Sequence, residues 1–330
     1  MDTFESFNPS FSPSNATTFD DIALQLFRFQ AENNPLYRTY LDYLGKKPKQ
    51  VQALDEIPFL PISFFKTHSV ATGTWNPEVT FSSSGTTGMV TSKHAVWSLA
   101  YYLENTEKIF CESFGPLQDY HFLALLPSYL ERQGSSLIAM IDYFIKQSGS
   151  EHSGFYLDNV DELLTKIDQI RHDGRKIILW GVSFALLDLA ERFQLDLHDC
   201  IVMETGGMKG RRKEWVREEL HEYLCGRFNV PAIYSEYGMT ELLSQAYSAG
   251  GGYYHQPYSM KIMIRDINDP FKIDQTAART GGINIIDLAN AHSCAFIETQ
   301  DLGRVLPDGR FEILGRIDNS DIRGCNLLVG

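Results

Sequence analysis

From Glu78 onward, short β-rich runs alternate with helical patterns, and this alternation restricts the fold more than any other feature of the chain. The runs are VTF (79–81), HFLALLP (121–127), KIILWG (176–181), CIVMET (200–205) and AIYSEYG (232–238). Between them, apolar spacing predicts helices over about 94–113, 135–147, 159–172, 183–193 and 211–228. Strands joined through helices need crossover connections, so the pattern predicts βαβ units and a largely parallel, buried sheet.

The flanks differ from this middle. After a polar, Ser/Pro-rich lead-in, residues 18–45 read as helical, with Pro35 dividing them into two helices. IPFLPISFFKTHSV (57–70) has prolines and apolar residues without a helical period, and is expected to lie extended against the core. Beyond Gly250 come MKIMIRDI, GGINIIDL, AFIETQDLGRV and RFEILGRID with no long helix between them. The PDG turn at 307–309 predicts an antiparallel hairpin over 297–318. The reading is a single α/β domain: a helical and extended segment (1–75), an α/β core (76–250), and an antiparallel lobe with a tail (251–330).

At 330 residues and 43% hydrophobic, the chain can bury a large core without metals or disulfides. A net charge of -13 argues against nucleic acid or an anionic membrane surface as the main partner. It does not argue against a nucleotide, whose phosphates are held locally by backbone N–H groups and hydroxyls. The five cysteines lie far apart with no CxxC pair, which suits reduced thiols in a cytoplasmic protein. The first residues have no basic and apolar pattern of a secretory signal, and the longest apolar runs are too short for a membrane span.

Four segments carry candidate chemistry. FSSSGTTG (81–88) follows a strand and is dense in hydroxyls and accessible N–H groups; it reads as a phosphate-wrapping loop or as a surface Ser/Gly turn. IYSEYGMTE (233–241) offers Tyr237 to stack on a base, Thr240 for phosphate and Glu241 for Mg²⁺; equally, Tyr237 can be a core aromatic and Glu241 a helix-start acid. ETGGMKGRRKEW (204–215) brings Gly206 and Gly207 beside Lys209, Arg211 and Arg212. Positive charge at a helix start opposes the helix dipole, which favours an anionic ligand over a plain βα turn. ETQDLGRV (298–305) and LGRID (314–318) place Asp301 to accept ribose hydroxyls, with Arg304 and Arg316 near the sugar or its phosphate; ordinary hairpin charges are the alternative.

In this order and spacing the segments resemble the adenylate-forming superfamily of acyl-CoA synthetases, luciferases and adenylation domains. SSSGTTG is similar to its phosphate loop, YGMTE to its YGxTE element, and GG before a helix to its adenine-side turn. TQDLG is similar to TGDxG with Gln300 in place of glycine, and GRID to its GRxD hinge element. FRFQAENNPLYRTY, IPFLPISFFK, LLPSYLERQGSSLIAM, ETGGMKGR and the terminal RGC narrow the likeness to LuxE-type acyl-protein synthetases, with phenylacetate-CoA ligases as cousins.

The resemblance implies the superfamily's large N-terminal α/β domain without its small C-terminal one. It also implies ATP and Mg²⁺ as cofactors and a carboxylic, fatty acid as substrate. Ser84, Gly85, Thr86, Thr87 and Gly88 would hold the β- and γ-phosphates. Gly206, Gly207 and Tyr237 would frame adenine, Thr240 would contact the α-phosphate, Glu241 would bind Mg²⁺, and Asp301 and Arg316 would hold the ribose. Lys209 is the candidate to replace the lysine of the missing domain. Lys93, five positions past Gly88, departs from the usual x-P-K continuation of the loop. Cys325 would accept the acyl group as a thioester and pass it to a partner such as a fatty-acyl reductase. The other four cysteines are read as small buried residues. The alternatives are a phenylacetate-type CoA ligase, an ATP-independent cysteine acyltransferase and a non-catalytic nucleotide-binding subunit.

Overall fold

The computed structural model describes residues 18–83, 90–126, 134–206, 215–274, 276 and 278–317. Helices α1 (Phe19–Asn33) and α2 (Pro35–Tyr43) come first, then strand β1 (Leu60–Pro61) and a single helical turn, α3 (Phe64–Thr67). Next are β2 (Val79–Ser82), β3 (Lys93–Val96), α4 (Leu99–Phe114), β4 (Tyr120–Leu125), α5 (Ser136–Ser148) and β5 (Gly154–Phe155). The alternation continues through α6 (Val160–Ile170), β6 (Lys176–Val182), α7 (Ser183–Arg192), β7 (Cys200–Thr205), α8 (Arg217–Phe228) and β8 (Tyr234–Tyr237). The remainder is β-structure: β9 (Ala246–Ser248), β10 (Tyr253–Tyr254), β11 (Met260–Arg265), β12 (Ile273–Asp274), β13 (Gly281–Asp287), β14 (Phe296–Val305) and β15 (Phe311–Arg316). The chain forms two compact units, one of Met1–Pro77 with His255–Gly330 and the other of Glu78–Tyr254.

In the first unit, β12, β11, β13, β14 and β15 pair antiparallel in that order, and β1 joins β14 in parallel. The N-terminal helices are fastened to this sheet by buried amides. Gln30 donates to the carbonyls of Asn290 (2.9 Å) and Ala291 (3.0 Å) and accepts from the Ala295 N–H (2.9 Å), so both ends of a fully buried side chain are occupied. Asn34 ends α1 and caps α2, accepting from the Tyr37 N–H (3.0 Å), and Pro35 takes the first helical position, where its missing N–H costs nothing. Phe296 packs against Phe27 (5.8 Å) and Tyr37 (6.2 Å) to centre the core.

The second unit holds a six-stranded sheet in the order β5-β4-β6-β7-β8-β9, parallel except for β9. All six residues of β4 are buried, as expected of a central parallel strand covered by helices on both faces. Phe110 from α4, Phe144 from α5, Trp180 from β6 and Tyr247 from β9 form one aromatic cluster with ring centroids 5.1–6.5 Å from Phe110.

Two expectations are corrected. The helix expected from residue 94 starts at Leu99, because Lys93–Val96 pairs antiparallel with Val79–Ser82; the Ser98 side chain caps the helix instead. Within the stretch expected to be extended, Phe64–Thr67 closes one helical turn. No helix of the described residues is long and apolar enough to cross a membrane.

Candidate functional site

Three consecutive strands of the parallel sheet end side by side, and polar side chains tie their carboxyl ends together. The Ser183 hydroxyl, just past β6, lies 2.5 Å from Glu204 Oε1 and within hydrogen-bonding reach of the Gly206 carbonyl. The Thr205 hydroxyl donates to Glu236 Oε2 across the β7–β8 pair. Gly206 ends the strand at φ +70°, a left-handed conformation that an L side chain would strain, and is itself exposed.

Both glutamates are buried, at 6% and 8% exposure. Burial pushes the Glu236 carboxyl up to about 7; the Thr205 hydrogen bond pulls against that rise and the nearby Glu204 carboxylate adds to it. His221 of α8 approaches Glu204 Oε2 at 3.8 Å. The same histidine, with Arg217, Cys225, Gly251 and Gly252, lines a cavity of about 260 Å³ beside α8.

Immediately after β8 the chain turns at Tyr237–Glu241. Tyr237 is buried, its ring 5.9 Å from that of Tyr254. A side chain at Gly238 would run into the Glu236 carboxyl, so that either the carboxyl or the turn would have to move. The Thr240 carbonyl accepts from His94 Nδ1 at 2.8 Å, which attaches this turn to β3. Thr240 is half-buried and Glu241 buried.

Of the expected site residues, Gly206, Tyr237, Thr240 and Glu241 thus belong to the second unit, at or just past the ends of β7 and β8. Asp301 and Arg316 belong to the first unit, directly opposite one another on β14 and β15, with Arg316 Nε 3.8 Å from Asp301 Oδ1. Arg304, also expected near the sugar, is engaged elsewhere: its Nε donates to Glu312 at 2.6 Å. Ser84, Gly85, Thr86, Thr87, Gly88, Gly207, Lys209 and Cys325 lie outside the described residues. On either side of the first of these segments, the Ser83 N–H donates to the Ser92 carbonyl (3.1 Å) and the Ser92 N–H to Ser83 Oγ (2.9 Å).

Ser183, Glu204, Glu236 and His94 were not singled out in the sequence. The available signal was acid within strands that otherwise read as apolar, CIVMET and AIYSEYG, since carboxylates are rarely buried unless something holds them. The described cysteines are not alike either. Cys200 and Cys294 are buried as expected, whereas Cys111 and Cys225 are only half-buried. Burial raises all four thiols, Cys200 and Cys294 to about 12. None of them favours the thiolate.

Among the described residues no group of three or more His, Cys, Asp or Glu side chains is arranged to hold a metal ion.

Comparison of the sequence with models of known protein families and with curated proteins finds no match. Comparison of the fold does. ATP-bound MatB from Rhodopseudomonas palustris matches with a TM-score of 0.53 at 15% identity, over 72% of this chain and 47% of that one. O-succinylbenzoate Coenzyme A Synthetase (MenE) from Bacillus subtilis, in complex with ATP and magnesium ion, matches with a TM-score of 0.50 at 18% identity, over 72% of this chain and 49% of that one. The fold is the mixed α/β one of the large N-terminal domain of adenylate-forming enzymes. The chain spans about half the length of these solved structures.

Proposed function

We propose that the chain activates a carboxylic acid with ATP as an acyl-adenylate and then transfers the acyl group to Cys325 as a thioester. The observation that carries this reading is the placement of Gly206, Tyr237, Thr240 and Glu241 at the carboxyl ends of β7 and β8. Open α/β sheets bind ligands outside the carboxyl ends of their strands. The fold is shared with proteins whose solved structures hold ATP.

In the proposed reaction the acid's carboxylate attacks the α-phosphorus of ATP, and pyrophosphate leaves. Glycine at 206 and 207 leaves the backbone bare for a planar base, and Tyr237 supplies a ring edge or face beside it. Thr240 contacts the α-phosphate, Asp301 and Arg316 hold the ribose, and the segment Ser84–Gly88 wraps the β- and γ-phosphates with hydroxyls and N–H groups. Magnesium, held through Glu241, would neutralise charge on the phosphates. Lys209 is the proposed cation at the reacting phosphate.

In the second step the Cys325 thiolate attacks the carbonyl of the mixed anhydride and AMP leaves. The raised thiols of the four described cysteines make them poor rivals for this role. The thioester would then be handed to an acyl-accepting protein, with a fatty acid as the proposed cargo.

A second reading, a CoA ligase, is favoured by the name of one neighbour, a Coenzyme A synthetase. The deciding experiment is pyrophosphate release over a panel of carboxylic acids, followed by incubation with labelled acid. Thr86→Ala, Glu241→Ala and Asp301→Ala are each expected to lower release by on the order of 100-fold, and EDTA to abolish it until Mg²⁺ is restored. Label removable by neutral hydroxylamine, lost in Cys325→Ser while pyrophosphate release persists, supports the thioester. Acyl-CoA formation by an unlabelled wild type supports the ligase. Wild-type rates in all three folded variants would sink the nucleotide site.

A further inference from the structure

The first unit buries one guanidinium in its antiparallel sheet. Arg265, the last residue of β11, is 6% exposed. Its side chain crosses β13 to reach β14: Nη1 donates to the Ile283 carbonyl (2.8 Å) and to Asn284 Oδ1 (2.9 Å), and Nη2 donates to the Thr299 carbonyl (2.7 Å). The Glu298 carboxylate stands further off, with Oε1 3.7 Å from Nη2. The β13–β14 register slips between Gly282 and Asn284, where the guanidinium passes, and a Cβ on Gly282 would stand 2.5 Å from its central carbon.

Bracing two strands with a mostly neutral set of acceptors is an expensive way to gain stability, because a hydrophobic side chain could bridge the same sheet without desolvating a charge. The braced groups lead directly to Asp301. The Thr299 hydroxyl donates to the same Ile283 carbonyl (2.8 Å) and accepts the Asp301 N–H (3.1 Å). The guanidinium and the Asp301 N–H therefore meet on Thr299, whose hydroxyl shares the Ile283 carbonyl with the guanidinium across the irregular pairing.

We infer that Arg265 is a positioning residue for Asp301, holding the β13–β14 irregularity in the shape that presents that carboxylate to a ribose. The inference rests on the ribose role proposed above for Asp301. A lysine retains the charge but cannot span both strands, because its single ammonium lacks the fork that reaches Ile283 and Thr299 together.

The test is calorimetric binding of ATP and of 3′-deoxy-ATP to wild type, Arg265→Lys, Arg265→Met and Gly282→Ala. Gly282→Ala leaves the charge in place and displaces the guanidinium, so it serves if Arg265→Met does not fold. Wild type should prefer ATP by on the order of tenfold, the worth of a hydrogen bond to a charged group. That preference should fall toward one in the folded variants, and Arg265→Lys should change it no further in an Asp301→Asn background. A merely structural arginine would weaken both nucleotides equally and leave the ratio alone. Folded Arg265→Lys and Gly282→Ala proteins with the wild-type ratio would overturn the inference. A wild type that binds ATP without preferring it, or does not bind it, would instead overturn the ribose role, and the inference with it.

Discussion

At the amino end of the parallel sheet, His121 of β4 sits between Ser150 Oγ on Nδ1 and Asp173 Oδ2 on Nε2, each at 2.6 Å. At the carboxyl end of the same sheet, Glu204 and Glu236 stand on adjacent strands and receive hydroxyl hydrogens from Ser183 and Thr205. The first arrangement alternates donor and acceptor: serine donates to a neutral imidazole, whose other nitrogen donates to a carboxylate. It joins β4 to the loops of Ser150 and Asp173 and leaves no like charges facing one another. The second brings two acids together under burial, and the Glu236 carboxyl is pushed up to about 7 as a result. One end fastens loops; the other holds a mismatch beside an exposed glycine and the turn with Thr240 and Glu241. Strongly shifted groups in such places are candidates for functional sites.

The ends should respond to pH with opposite sign. Glu236 binds its proton more tightly in the folded chain, so its contribution to stability is complete below 4.5 and is lost as pH rises through about 7. At pH 8 the penalty is about 3 kcal/mol, from roughly 2.5 pKa units at 1.36 kcal/mol each. Glu236→Gln keeps an acceptor for Thr205 without the charge, so at pH 8 it should be more stable than wild type by about this amount, with little difference at pH 4.5. Chemical denaturation at the two pH values measures it. Equal stabilities at pH 8 would mean that Glu236 is not held as described.

Activity separates the ends next. Gly238→Ala puts a methyl group where the Glu236 carboxyl lies, so either that carboxyl leaves Thr205 or the turn to Glu241 shifts. Acid-dependent pyrophosphate release should fall on the order of 100-fold, the scale of a misplacement of about 1 Å at a reacting centre. A rate near wild type in the folded variant would break the assignment of function to the carboxyl end.

These features were unevenly legible in the sequence. Local ones were plain: Pro35 separates α1 from α2, and the apolar runs KIILWG and CIVMET are β6 and β7. The strand Lys93–Val96 was not, because its identity comes from pairing with Val79–Ser82, several residues earlier in the chain, while His94–Ser113 also carries a helical period. The site shows the same division. Gly206, Tyr237, Thr240 and Glu241 stood out through turn composition and resemblance. Ser183, at the start of α7, meets Glu204 on β7, and Arg265 meets Thr299 34 residues away, contacts that only the fold creates.

A smaller effect is expected at the amino end. Burial holds the His121 imidazole below its usual range, with the Asp173 hydrogen bond acting against that fall and Arg175 and His152 adding to it. The unfolded chain takes up the proton first, so stability is complete above 6.5 and is lost as pH falls through the lower folded value. His121→Ala should cost about 2 kcal/mol at pH 7.5, within the range for breaking a buried hydrogen-bonded group, and should lessen the loss on acidification. Pyrophosphate release per folded molecule should stay at the wild-type rate. A hundredfold loss of rate in that variant would mean that the two ends are not separate in function.

The smallest effect is the most discriminating, because Ser150, His121 and Asp173 occur in the order of a hydrolytic triad. The geometry assigns them a different task. Ser150 Oγ accepts the N–H groups of His152 (3.1 Å) and Ser153 (3.2 Å) while it donates to His121, so the hydroxyl closes the turn ahead of β5. His121 is 2% exposed, which leaves its imidazole little room to shuttle a proton to a substrate. Ser150→Ala should therefore cost only about 1 kcal/mol, the net worth of an ordinary hydrogen bond, and leave acid activation unchanged. A fluorophosphonate probe for activated serines should not label Ser150 in the wild type. Labelling at that residue, lost in Ser150→Ala, would turn the amino end from a fastening into a second reactive site.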